Sequence, residues 1–158
     1  MSAVLQPPEK RVFRWVTFQL ADEVYGINVM QVQEVLRMTE IAPVPGAPAS
    51  VMGIVNLRGN VVTVIDTREL FNLPTNELTE QSRIMIVECN RVTVGLLVDG
   101  VAEVVNIDNN EIDGVPSIGN DDNARYIQGV YNMEGEILIL VDLDKLVGAD
   151  GQIFQPGF

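Results

Sequence analysis

One stretch of this chain is written twice. Gly53-Ile54-Val55-Asn56-Leu57-Arg58-Gly59-Asn60-Val61-Val62-Thr63-Val64-Ile65-Asp66, with the following Thr67-Arg68-Glu69-Leu70-Phe71, aligns without a gap to residues 129–147 at an offset of 76. Gly53/Gly129, Asn56/Asn132, Gly59/Gly135, Asp66/Asp142 and Leu70/Leu146 are identical in the two copies. Each copy reads as strand, turn, strand and one helical turn. The Asn and Gly residues supply turn chemistry between apolar, β-branched runs, and Asp66 and Asp142 stand where a short carboxylate would cap the helical turn. A chain with this repeat must build two versions of one small β unit. Arg58 is replaced by Glu134 in the second copy, so the turn itself does not require arginine.

The duplication extends upstream. Phe13–Leu20 and Val24–Val29 form a predicted hairpin about Ala21-Asp22-Glu23, and Arg83–Cys89 with Val92–Val98 form another about Asn90-Arg91. Aligning Gly26 with Gly95, at an offset of 69, also pairs Val29/Val98, Val32/Val101, Glu34/Glu103 and Val35/Val104. The second half therefore carries seven extra residues, placed most economically in Ile107–Asn123, a stretch rich in Asp, Asn and Gly that should be exposed loop. Between hairpin and repeat, Val29, Val32, Val35 and Leu36 recur at helical spacing. They predict a short amphipathic helix over Met30–Arg37, with Val32 and Val35 inward and Gln31 and Glu34 solvated. The proline-rich Ile41–Pro48 can be neither regular helix nor central strand and should be an ordered loop.

Five short strands per half suit a small closed barrel, which leaves no exposed edges. The expected fold is mainly β: two small five-stranded barrels sharing a core, with short helices. One domain is expected over 12–150, with subdomain 1 at about 14–80 and subdomain 2 at about 82–148, joined near the polar Asn72–Ser82 connection. Residues 1–11 read as a flexible leader and 151–158 as a tail.

Composition excludes several function classes. A net charge of −12 opposes a nucleic acid partner. The absence of His removes the commonest general base and metal ligand. The single Cys89 lies in an apolar run and reads as a buried structural thiol. No apolar run is long enough to span a bilayer and Met1–Lys10 lacks a signal-peptide core, so a cytoplasmic protein without direct membrane insertion is expected. The carboxylates Asp108, Glu111, Asp113, Asp121 and Asp122 lack the spacing of a calcium loop and read as solvated. Neither catalytic residues, metal ligands nor a cofactor are expected. Asp66 and Asp142 are read as caps worth about 1 kcal/mol each, the competing reading being a small β-barrel enzyme that uses them for acid–base work. Gly53, Gly100 and Gly129 mark close backbone approaches or bends. Arg58 has two readings: an anchor for a protein partner, since guanidinium is enriched at interface hot spots, or an intrachain ion pair.

Phe18-Gln-Leu-Ala-Asp-Glu-Val-Tyr25-Gly26-Ile27, Val32-Gln33-Glu34-Val35, Gly53–Gly59, Val98-Asp99-Gly100-Val101 and Ile137–Asp142 together resemble the CheW family of chemotaxis coupling proteins, in order and over nearly the whole chain. The resemblance implies two five-stranded SH3-like barrels, in agreement with the duplication. It also implies a non-enzymatic adaptor linking a CheA-type histidine kinase to the cytoplasmic helical tips of chemoreceptors, and so recruitment to membrane-associated receptor arrays. The alternative is a coupler for another kinase pathway, such as surface motility. By the resemblance, Val32, Glu34 and Arg58 belong to receptor coupling, and Gly53 with the adjoining end of the first barrel belongs to kinase binding. Gly100 and Val104, in the corresponding part of the second half, complete the expected protein-binding set.

Overall fold

The computed structural model describes residues 11–74, 77–114 and 126–146. Its ten strands are β1 (Val12–Leu20), β2 (Glu23–Asn28), β3 (Val32–Arg37), β4 (Val51–Leu57), β5 (Asn60–Asp66), β6 (Arg83–Cys89), β7 (Val92–Val98), β8 (Gly100–Asp108), β9 (Ile127–Met133) and β10 (Glu136–Val141). One helical turn, α1 (Thr67–Leu70), follows β5. The leader up to residue 10, the tail 151–158 and residues 115–123 of the anticipated loop lie outside the described residues.

Local chemistry makes the hairpins. In the repeated turn, Asn56 Oδ1 accepts the Gly59 N–H at 2.9 Å and Asn132 Oδ1 accepts that of Gly135 at 3.1 Å. Arg58 and Glu134 both adopt left-handed backbone, with φ of 50° and 52°. That conformation costs a non-glycine residue about 1–2 kcal/mol, and both copies bear it, so it belongs to the frame. Asp66 Oδ1 accepts from the N–H groups of Arg68 and Glu69 at 3.1 and 3.4 Å, and Asp142 Oδ1 accepts from that of Asp144 at 3.1 Å. These are the capping contacts expected for both aspartates.

The two sheets do not correspond to the two halves of the sequence. One has the order β8-β1-β2-β10-β9 and the other β3-β6-β7-β5-β4. The first hairpin of each half has left its own half and inserted between strands of the other. Parallel pairing of β2 with β10 and of β5 with β7 seals each exchange. The ends of each sheet are then drawn together. Beyond β3 the chain crosses to β4, where Ala42 and Ile54 exchange backbone hydrogen bonds of 2.9 and 2.8 Å. Beyond β8, Asp113 and Val130 do the same at 2.9 Å each.

Each strand of a hairpin serves two interiors because its side chains alternate in direction. On β6, Ile84 and Ile86 fill the interior of their own sheet with Val55, Val62, Val64 and Leu97, while Met85 and Val87 face the shared core. On β1, Trp15 fills the interior of the other sheet with Ile107, Leu138 and Leu140, while Val16, Phe18 and Leu20 join the shared core. Phe18, Tyr25, Phe71 and Tyr126 stack in series through that core at ring separations of 5.3–5.7 Å.

Three expectations are corrected. The helix over Met30–Arg37 is instead a 3-10 turn at Val29–Gln31 followed by strand β3 on the edge of β6. A bulge between Val32 and Glu34 interrupts the alternation, and that extra residue imitates helical spacing. As a result Val35 is not core but 41% exposed, whereas Leu36 packs inside the sheet and Val32 packs partly against the shared core. Finally, Ile107 is not exposed loop: it is fully buried near the end of β8.

Candidate functional site

The turn between β4 and β5 holds Arg58 out over the end of its sheet, with 73% of the side chain exposed. Edge strand β3 lines the other side and brings Glu34 up to it. The Arg58 guanidinium donates from Nη1 to Glu34 Oε1 at 3.4 Å and from Nη2 to Glu34 Oε2. This hydrogen bond holds the Glu34 carboxyl below the usual carboxylate range and raises Arg58 above its ordinary value. The pair stands in solvent, where water and salt screen the attraction, so it orients side chains more than it stabilises the fold.

Beside the pair lies a groove of about 410 Å³. Leu57, Val62 and Ile86 provide apolar lining, and Gln33, Asn60 and Thr93 add hydrogen-bonding groups. Val61, on the same groove, is 66% exposed. A mainly polar groove over an apolar floor, with a guanidinium–carboxylate pair at one side and the exposed Val61 beside it, can bind a peptide or helix surface. It contains no nucleophile–base pair.

Of the residues singled out in the sequence, Arg58 and Glu34 meet. Val32 precedes Glu34 on β3, half-buried. Val32 and the other three lie outside the groove. Gly53 is buried under the chain crossing from β3: a Cβ there would fall 2.1 Å from the Ala42 carbonyl oxygen, so only glycine fits. Gly129 is constrained in the same way by Asp113, whose carbonyl oxygen would lie 2.7 Å from an added Cβ. Gly100 and Val104 are on β8 in the other sheet, Gly100 buried and paired with Gln19, Val104 opposite Val16 and 46% exposed.

A second charged cluster was not singled out in the sequence. Arg68 of α1 donates from Nε to both carboxylate oxygens of Asp99 at 2.9 Å, and from Nη1 to the Pro74 carbonyl at 2.7 Å. Asp99 Oδ2 also accepts the Ala21 N–H at 2.7 Å. Asp99 lies where the chain passes from β7 to β8, so the cluster ties one sheet to the other. The repeat contained the signal, because Asp99 aligns with Met30, a charge against an apolar residue, as Arg58 aligns with Glu134. Cys89 is buried, and burial with the nearby Asp144 and Glu88 pushes its thiol up to about 11, which removes it as a nucleophile near neutral pH. Among the described residues, no group of His, Cys, Asp or Glu could hold a metal ion, and no helix is long and apolar enough to cross a membrane.

Two packed β units with a recognition groove at a sheet end have the build of a binding scaffold. The family model described as CheW-like domain matches residues 14–150. The chain is 32% identical over 131 residues to the chemotaxis protein CheW of Rhizobium meliloti, covering 83% of this chain and 84% of that one. It is 30% identical over 147 residues to the chemotaxis protein CheW of Bacillus subtilis, covering 93% and 92%. The crystal structure of scaffolding protein TtCheW from Thermoanaerobacter tengcongensis superposes with a TM-score of 0.81 at 33% identity, covering 91% of this chain and 98% of that one. The chain belongs to the CheW family. It is accordingly a chemotaxis coupling adaptor and not an enzyme.

Proposed function

We propose that this adaptor couples a CheA-type histidine kinase to the helical tips of chemoreceptors, acting in the cytoplasm on membrane-associated receptor arrays. The observation that carries the receptor half of this reading is the groove beside Arg58 and Glu34, whose hydrogen-bonding lining, charged pair and exposed Val61 suit an amphipathic helix docked in a groove. Val32, packed against the shared core, contributes to this surface by anchoring the start of β3, on which Glu34 stands. Gly53, Gly100 and Val104 belong to the remaining protein-binding surface, with Gly53 acting through the backbone crossing that it permits. Coupling of this kind needs no proton transfer. It needs two surfaces on one body, so that a difference in receptor conformation reaches the kinase as a difference in binding free energy.

The test is ternary co-sedimentation with a CheA-type kinase and a receptor tip fragment. Arg58→Glu should keep the fold and thermal midpoint while weakening assembly by about tenfold or more, as for a hot-spot residue. Wild-type protein that sediments with neither partner refutes the proposal.

A further inference from the structure

Two strands that line the groove at one end hold an ion pair at the other. β5 begins at the groove with Asn60, Val61 and Val62 and ends at Asp66, two residues before Arg68 of α1. β7 meets the groove at Thr93 and ends at Val98, directly before Asp99. The two strands run side by side in parallel, from Thr63 opposite Val94 to Asp66 opposite Leu97. Seven residues of strand span about 20 Å, so Arg68 and Asp99 meet at about that distance from the groove. Between the two ends both strands are interior to their sheet, and Val64, Ile65, Leu96 and Leu97 are buried. Close-packed side chains of this kind transmit strain because they leave no space in which it could relax.

The far end grips the second sheet. Asp99 accepts from Arg68 Nε on both carboxylate oxygens at 2.9 Å and from the N–H of Ala21, in the β1–β2 turn, at 2.7 Å. The Arg68 side chain is 14% exposed where that of Arg58 is 73%, so solvent screens this pair far less than the one beside the groove. Asp99 also leads directly into β8, which carries Gly100 and Val104 on the second sheet. The other unit has neither charge pair. Glu134 and Glu103 stand in it for Arg58 and Glu34, and Asp144 and Met30 for Arg68 and Asp99. The groove pair and the distant clamp therefore occur together, in the same unit.

We propose that Arg68 and Asp99 are positioning residues for coupling: they fix the second sheet against β5 and β7, so that occupation of the groove alters how the adaptor holds its other partner. This rests on the reading of the chain as a coupler, with the receptor tip in the groove and the kinase on the remaining surface. Neither residue lines the groove, so the role of the pair lies in the link between the two contacts. That link is measured by the factor through which one partner changes the adaptor's affinity for the other.

Calorimetry measures the affinity of the full-length adaptor for a CheA-type kinase, first alone and then with saturating receptor tip fragment, and the ratio is the coupling factor. Wild type should show a change of about fivefold or more, in either direction. Asp99→Asn removes the ion pair and keeps an acceptor for the Ala21 N–H. It should leave binding to each partner alone within about twofold and bring the coupling factor to within about twofold of one. Arg68→Gln cuts the same pair from the other side and carries the test if the Asp99 variant does not fold. The two substitutions together should lose no more coupling than either alone, because they remove one interaction. Ile107→Val trims the interior of the second sheet away from groove and clamp, and it should lower stability while keeping the wild-type factor. A wild-type factor of one, a factor that survives both substitutions, additive losses in the double variant, or an equal loss in Ile107→Val overturns the inference. Wild-type protein that binds neither partner overturns the coupling reading, and this inference with it.

Discussion

The described chain passes between its two sheets twice, and the two passages are held differently. At the second, between β7 and β8, Asp99 is surrounded by donors: its carboxylate takes the Arg68 guanidinium and the Ala21 N–H, while its own N–H reaches the Gln19 carbonyl at 2.9 Å. At the first, between β2 and β3, the matching residue is Met30, 87% exposed. The position matching Arg68 is Asp144, which accepts from Gln31 Nε2 at 3.3 Å through its side chain and from Asn90 Nδ2 at 3.0 Å through its backbone carbonyl. Duplication thus conserved the backbone route and released the side chains. One passage became an ion-paired fastening between sheets, and the other is held by solvent-facing amide contacts to Asp144.

If the backbone frame is common to both halves, its glycines should be equally intolerant. Gly53→Ala and Gly129→Ala each force a side-chain atom into a crossing strand, and each should destabilise by the upper end of the roughly 1–3 kcal/mol of overpacking, or more. Chemical denaturation followed by tryptophan fluorescence measures both. A mild effect at one glycine would break the equivalence of the two closures.

The passages, in contrast, should separate. Asp99→Ala strands a guanidinium that is only 14% exposed and also removes the acceptor of the Ala21 N–H, a loss of about 2 kcal/mol for charged hydrogen bonds near the surface. Asp144→Ala loses one long, exposed side-chain contact and should stay within about 0.5 kcal/mol of wild type. Equal losses in denaturation experiments would mean that the fastening at Asp99 is not what distinguishes the two corners.

The smallest effect concerns the first sheet end. Because Arg58 depresses the Glu34 pKa in the folded protein, the pair's contribution is complete above the ordinary glutamate range. It fades as pH falls through the lowered value. Arg58→Ala should return the Glu34 carboxyl toward the ordinary range in a carbon-detected NMR titration, with almost no change in thermal midpoint because the pair is solvated. An unshifted Glu34 in wild type would mean that the ion pair does not persist in solution.

Much of this was legible locally. The Asn–Gly turns, the aspartate caps and the alternating β-branched runs are interactions among residues two to four apart, and such contacts follow from nearby residue types. The β3 segment misled because a bulge changed its period, and pairing with β6 overrode local spacing. Arg58 was singled out by its replacement in the repeat, yet its pairing with Glu34, across 24 residues, depends on the sheet curling until β3 approaches the β4–β5 turn. Asp99 and Arg68 became partners only because two sheets meet at that passage.

By itself, the sequence determined four hairpins, their turns and caps, and the existence of two equivalent units, since each is specified by short-range chemistry, whereas the edge strands β3 and β8 took their form from pairing with β6 and β1. Only the tertiary structure decided which half each hairpin joins. The β1–β2 hairpin carries alternating apolar faces that would suit strands of either copy, and the copies present nearly the same edges. Burial of both faces and parallel pairing with β10 settle it, and those are long-range interactions that no local pattern encodes.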